Sequence, residues 1–153
     1  MPSENSPQPK PPKRPVSALV VLHDGAGNAL LLERADKAGY WQSVTGSLEA
    51  GETPAQAALR ETAEETGIAL PPAALRDWHY STVYEIYPHW RHRYAAGVTR
   101  NTEHLFSAVI PRNAPVRLSE HTAHIWLPLA QAAEKVFSPS NRDALLKLAA
   151  ETV

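Results

Sequence analysis

No cysteine occurs among the 153 residues. Disulfides and thiolate metal sites are therefore excluded, and a reducing compartment fits the composition. No charge of one sign dominates: 15 Lys and Arg stand against 16 Asp and Glu, for a net charge of −1. Such a balance lacks the basic surface on which general nucleic-acid or acidic-membrane binding rests. No apolar run approaches the roughly 18 residues needed to span a membrane, and the N-terminus lacks the apolar core of a secretion signal. The seven histidines are scattered without a His-x-x-x-His spacing, so no zinc site is expected. A soluble cytoplasmic protein, with neither nucleic acid nor membrane as partner, is the expectation.

What is present is a globular chain with 43% hydrophobic residues and a length that suits one domain. Residues 1–12 hold five of the fourteen prolines and read as a disordered tail; residues 13–153 read as the domain. Strands are expected at 16–22, 29–33, 41–45, 78–87, 102–110 and 124–127, with a turn at Asp24-Gly25-Ala26-Gly27-Asn28. Helices are expected at 54–66, 129–135 and 141–151, the last with Leu145, Leu146 and Leu148 on its core face. Residues 88–101 read as a long loop or insertion. Mixed strands with two or three helices suggest an α/β class, layered α/β/α. No segment reads as an obvious dimer face.

The helix at 54–66 is the best marked. Thr53 and Gln56 form a capping box, Pro54 suits the first helical position, and Gly67 suits the position past the end. On a wheel with Glu61 at zero, Glu64 falls near −60° and Glu65 near +40°, so the three carboxylates share one face. Ala55, Leu59, Thr62, Ala63 and Thr66 lie between about 100° and 200° and are expected to face the core. An acidic C-terminal turn is unfavourable. The Glu61/Glu65 repulsion costs about 0.2–0.5 kcal/mol and the helix dipole about 0.3–1 kcal/mol more. One arginine, Arg60, does not balance three glutamates. A hard divalent cation would, and clustered carboxylates suit Mg²⁺, with Mn²⁺ as the alternative. The plainer reading is a solvated acidic face.

The segment upstream favours the cation. Gly46, five residues, Glu52, seven residues, Arg60-Glu61, two residues, Glu64-Glu65, one residue and Gly67-Ile68 together resemble the Nudix box. The one departure is Thr62, where the family usually carries an aliphatic residue. The resemblance implies an α/β/α sandwich with a mixed sheet and Mg²⁺-dependent attack of water on a phosphorus of a pyrophosphate bridge. It implies Glu61 and Glu65 as metal ligands, Glu64 as ligand or water-orienting base, Arg60 as the residue holding a glutamate in place, and Glu52 as a support between loop and helix. It further implies Glu120 as a ligand or base reaching in from a distant loop.

Further segments narrow the resemblance: residues 13–17, 41–46, 91–95, 97–103, 120–121 and 140–142 are similar to the branch of the Nudix family that acts on a pterin triphosphate in folate biosynthesis. Lys13 and Arg34 are then candidate phosphate partners, though each reads equally as a surface charge. Thr45 can hydrogen-bond substrate or merely fit its strand. Tyr84-Glu85-Ile86-Tyr87 can frame the pterin, with aromatic faces for stacking and a carboxylate for its donor-rich edge; Ile86 also reads as a buried strand residue. Ser138 can touch substrate or cap a turn. Arg91, His92, Arg93 and Arg100 make a basic loop that gathers phosphate or is solvated. The rival readings are a Nudix hydrolase of nucleoside triphosphates such as dATP or oxidised purine nucleotides, a Nudix domain kept for binding, and a non-catalytic domain with an acidic helix.

Overall fold

Eight residues, Val16–His23, form the central strand β1 of a seven-stranded mixed sheet. The structure is a computed structural model that describes residues 11–119 and 121–151. The other strands are β2 (Asn28–Arg34), β3 (Trp41–Gln42), β4 (Val44–Ser47), β5 (Arg76–Glu85), β6 (Arg100–Val109) and β7 (His121–Pro128). The helices are α1 (Pro54–Thr66), α2 (Leu129–Lys135) and α3 (Pro139–Glu151). β1 pairs in parallel with β6 along its whole length, from Val16 opposite Thr102 to His23 opposite Val109. A strand flanked in this way is covered on both faces, which explains why its apolar run is nearly continuous.

Alternate residues of β1 separate the two cores. Ala18, Val20 and Leu22 pack with Ala57 and Ala58 of α1. Leu19 and Val21 face the opposite layer, with Leu129 and Ala132 of α2 and Leu145 and Leu148 of α3. Each such leucine contributes about 1.5–3 kcal/mol by its burial. The expected α/β/α layering is therefore present.

β1 and β2 meet at His23 and Ala29, the base of their hairpin, and then diverge. Beyond that point β1 pairs with β4, from Ser17 opposite Ser47 to Val20 opposite Val44. β2 instead pairs with β3 through Leu32–Gln42 and Glu33–Trp41. Residues 41–47 thus fill a wedge in the sheet and cross it at Ser43. Asn141 of α3 locks that crossing: its Oδ1 accepts the Ser43 N–H at 2.8 Å and its Nδ2 donates to Ser43 Oγ at 2.9 Å. The wedge delivers Thr45 and Gly46 to the open end of the sheet, next to α1.

Several expectations need correction. The strand expected at 41–45 is split at Ser43 because its halves serve different partners. The expected loop at 88–101 contains a 3-10 helix, Pro88–Arg93, and its end joins β6. Strand β5 begins at Arg76, and β7 runs from His121, longer than the expected 124–127. Leu146 is 47% exposed; α3 uses Ala144, Leu145 and Leu148 for its core face. Of the expected tail, residues 1–10 lie outside the described residues.

Candidate active site

Helix α1 begins as its sequence dictates. Thr53 Oγ1 accepts the Gln56 N–H at 3.2 Å and Gln56 Oε1 accepts the Thr53 N–H at 2.9 Å. It ends at Gly67, whose φ of 75° is left-handed, with its N–H donated to Ala63 O. The core-facing side, however, differs from the expected one. Ala57, Ala58, Thr62, Glu65 and Thr66 are buried, while Ala63 is exposed. The buried face is centred near +60° on the wheel, so the acidic and buried faces overlap. Apolarity alone misplaced it, because the small side chains of Ala57 and Ala58 carry the close packing. Thr62, the departure from the family pattern, is fully buried, and its hydroxyl donates to Ala58 O at 2.8 Å. The buried polar atom is satisfied, so the substitution leaves the packing intact.

The three carboxylates therefore occupy three environments. Glu65 is 3% exposed, with its Oε1 3.6 Å from Nε2 of the buried His121. Glu61 is half-buried, and burial raises its pKa above the ordinary carboxylate value, opposed by hydrogen bonds from Glu65 and Arg60. Glu64 is open to solvent.

Arg60 is the hub. Its Nε and Nη2 grip Glu52 at 2.7 and 2.8 Å, and Nη2 also donates to Ser47 O at 3.0 Å. Its Nη1 donates to Glu61 at 2.7 Å and to Glu64 at 3.1 Å. One planar guanidinium thus ties β4, the loop and two helical carboxylates together. The same contact holds the Glu52 carboxyl below its usual pKa and raises that of Arg60. Gly46 completes the cradle. A Cβ there would overlap the carboxyl group of Glu61 and fall 2.6 Å from its Cγ. Close approach, rather than an unusual backbone angle, is what requires glycine at this position.

These groups open onto a cleft of about 1330 Å³. The expected metal and substrate residues line it, except Glu120, which lies outside the described residues; of the basic loop, His92 and Arg93 reach it and Arg91 and Arg100 do not. Lys13 and Thr45 stand on its walls. Arg34 also reaches it, but its guanidinium binds Asp36 bidentately at 2.7 and 2.8 Å, donates to Gln42 at 3.1 Å and stacks on Trp90. That contact pulls the Asp36 pKa down to about 2. Ser138 Oγ accepts the Asn141 N–H at 3.2 Å, so it caps α3 while facing the cleft. Tyr84 turns its hydroxyl inward to Asn101 Nδ2 at 3.1 Å. Ile86 is buried, and Tyr87 joins Trp90 and Phe137 in an aromatic cluster. Glu85, the expected reader of a donor-rich edge, is turned instead to Arg100 at 3.0 Å and Arg91 at 3.6 Å. The basic loop is thus neutralised in part: Arg93 also pairs with Asp36, at 3.2 Å.

Sequence reasoning missed Trp90, Phe137, Asn101 and Glu103. Trp90, Phe137 and Asn101 sat in segments read as loop, and Glu103 in a strand where burial of polar residues leaves no periodic signal. Among the described residues, no three His, Asp or Glu side chains meet closely enough to enclose a cation. The donors nonetheless suit one. Glu61 and Glu65 lie one helical turn apart and are largely withdrawn from water, and carboxylate oxygens are the donor type a hard divalent cation takes.

A family description, the NUDIX domain, matches residues 13–148. The chain belongs to the Nudix family. It is 46% identical over 136 residues to the dihydroneopterin triphosphate diphosphatase of Escherichia coli, covering 87% of this chain and 91% of that one. The enzyme of the same name from Haemophilus influenzae is 37% identical, over 86% and 85% of the two chains. The solved structure of the E. coli dihydroneopterin triphosphate pyrophosphohydrolase superposes with a TM-score of 0.85 at 45% identity, over 90% of this chain and 97% of that one. Nudix hydrolases generally use divalent metal ions and act on small-molecule nucleotide or pterin substrates. No helix of the described Nudix domain is long and apolar enough to cross a membrane.

Proposed function

We propose that this Nudix hydrolase converts 7,8-dihydroneopterin triphosphate and water into dihydroneopterin monophosphate and pyrophosphate, with Mg²⁺, as a cytoplasmic step of folate biosynthesis. The observation that carries this reading is the union in one cleft of the carboxylates of α1 with the aromatic wall of Tyr87, Trp90 and Phe137. It is supported by the likeness to two enzymes named for that substrate along nearly their whole length.

The residues divide the work. Glu61 and Glu65, with Glu120, would hold the metal, with Mn²⁺ able to substitute. The bound cation would neutralise phosphate charge and favour ionisation of a water. Arg60 fixes Glu61 and Glu64 in place, so no reorganisation is needed when the substrate arrives. Glu64, the exposed member, would orient the attacking water and accept its proton. Lys13 and Thr45 would meet the phosphate chain. Arg34 would do so from a position already fixed by Asp36 and Trp90. Tyr84 and Tyr87 would bound the heterocycle, and Ser138 the groove beside it. A purine would also stack on the aromatic wall, so hydrolysis of dNTPs is the second reading.

Product analysis tests the reaction. With dihydroneopterin triphosphate and Mg²⁺, the enzyme should yield the monophosphate and pyrophosphate in equal amounts. Stepwise release of orthophosphate would contradict the reading.

A further inference from the structure

Glu103 is the most deeply withdrawn acid in the cleft outside the α1 set. It lies on β6 between Ser17 of β1 and Thr82 of β5, 6% exposed, and still reaches the cleft wall. Among the described residues it receives one side-chain hydrogen bond, from Ser140 Oγ at 2.8 Å. The neighbouring ionisable groups are the hydroxyls of Tyr84 and Tyr94. A buried carboxylate with a single donor is costly unless something else completes it.

The surrounding wall is short of donors rather than acceptors. Asn101 lies two residues before Glu103 and shares its face of the sheet. Its Nδ2 is spent on Ser17 Oγ at 2.8 Å and Tyr84 OH at 3.1 Å, which fixes the amide, and its Oδ1 has no donor among the described residues. Ser140 is tied through Ser138 to the α3 cap, three residues from the aromatic wall at Phe137. Ser140 thus links Glu103 to the segment that carries Phe137, and both line the same cleft.

We infer that Glu103 determines specificity by accepting paired N–H groups from a 2-amino-4-oxopyrimidine edge. This rests on the substrate reading above and names the group that enforces it. The pterin ring carries adjacent donors at N3 and the 2-amino group, and the two oxygens of a carboxylate match them. Guanine carries the same edge, whereas adenine presents a donor beside an acceptor, which a carboxylate repels. Burial pushes the Glu103 pKa up to about 7; two donors would favour the ionised form.

The test compares kcat/KM for dihydroneopterin triphosphate, dGTP, dITP and dATP, with Mg²⁺, in the wild type and in Glu103→Gln. In the wild type, dITP, which lacks the 2-amino group, should fall about 10-fold or more below dGTP. In the variant, dihydroneopterin triphosphate and dGTP should each lose about 10- to 100-fold while dATP rises, because the amide offers adenine an acceptor beside a donor; that activity also shows that the variant is folded. Equal loss on all substrates, or equal wild-type rates on dGTP and dITP, would overturn the inference. A wild type that prefers dGTP to the pterin triphosphate, with that rate still dependent on Glu103, would overturn the substrate reading while upholding the role of Glu103.

Discussion

Arg60 and Glu52 form a two-pronged ion pair, Nε to one carboxylate oxygen at 2.7 Å and Nη2 to the other at 2.8 Å. The pair joins the loop after β4 to the middle of α1, and the remaining nitrogen of the same guanidinium grips Glu61. A change at Glu52 should therefore reach the Glu61 carboxylate without touching it. Glu52→Gln keeps the shape and removes the charge. It should cost about 1–3 kcal/mol at pH 7, measured by urea unfolding, and lower kcat. Because Arg60 depresses the folded-state pKa of Glu52 below 4.5, the stabilisation is present above pH 4.5 and is lost as pH falls through that depressed value. The gap between wild type and variant should close there.

Gly46→Ala separates fold from function. The added methyl would strike the far end of the Glu61 side chain, which can swing aside at small cost to the fold. Tm should change little, whereas kcat should drop by about 100-fold or more as Glu61 leaves its position, on the scale of losing one preorganised electrostatic contact. A methyl tolerated without loss of rate would show that the close approach has no catalytic role.

The three glutamates of α1 should not be equivalent. Glu65→Gln and Glu61→Gln should abolish the rise in Tm that Mg²⁺ produces in the wild type, since a cation bound only by the folded state stabilises it. Glu64→Gln should lower kcat and leave most of that rise in place, because Glu64 is exposed and the proposed function gives it the water rather than the metal. Thermal melts across a Mg²⁺ series, together with initial rates, distinguish these outcomes.

Glu103 gives stability a pH dependence of the opposite sign to that of Glu52. Its carboxyl titrates near pH 7 when folded, against a reference value of 4.5. Between those values the folded state binds more protons than the unfolded, so stability falls as pH rises through the window. The groups facing it are the hydroxyls of Ser140, Tyr84 and Tyr94, none of which titrates between pH 4.5 and 7. Urea melts should show Glu103→Gln gaining on the wild type by on the order of 3 kcal/mol between pH 4.5 and 8. A gap that does not change with pH would mean that Glu103 stays ionised throughout.

Much of this was legible in the sequence because it is local. The Thr53–Gln56 box, Pro54 and Gly67 fix α1 through contacts within a few residues. The segment from Gly46 to Gly67 resembles the Nudix box, and that resemblance implies the phosphate chemistry. What could not be read depends on tertiary packing. Glu65 is buried because the small Ala57 and Ala58 draw α1 against the sheet, and a wheel weighted by apolarity places that face elsewhere. Glu85 and Glu103 are both acids on strands, yet only the register of β5 on β6 makes one a surface partner of arginines and the other a buried wall. The wedge at Ser43 depends on Asn141, 98 positions along the chain. The aromatic wall gathers Tyr87, Trp90 and Phe137 from two segments without periodicity.

The central claim is that a pterin triphosphate is the substrate of this Nudix site. The measurement that tests it most directly is kcat/KM for pyrophosphate release from 7,8-dihydroneopterin triphosphate and from dATP, side by side at saturating Mg²⁺. The account predicts a clear preference for the pterin, lost when Mg²⁺ is chelated. A larger kcat/KM for dATP would contradict it.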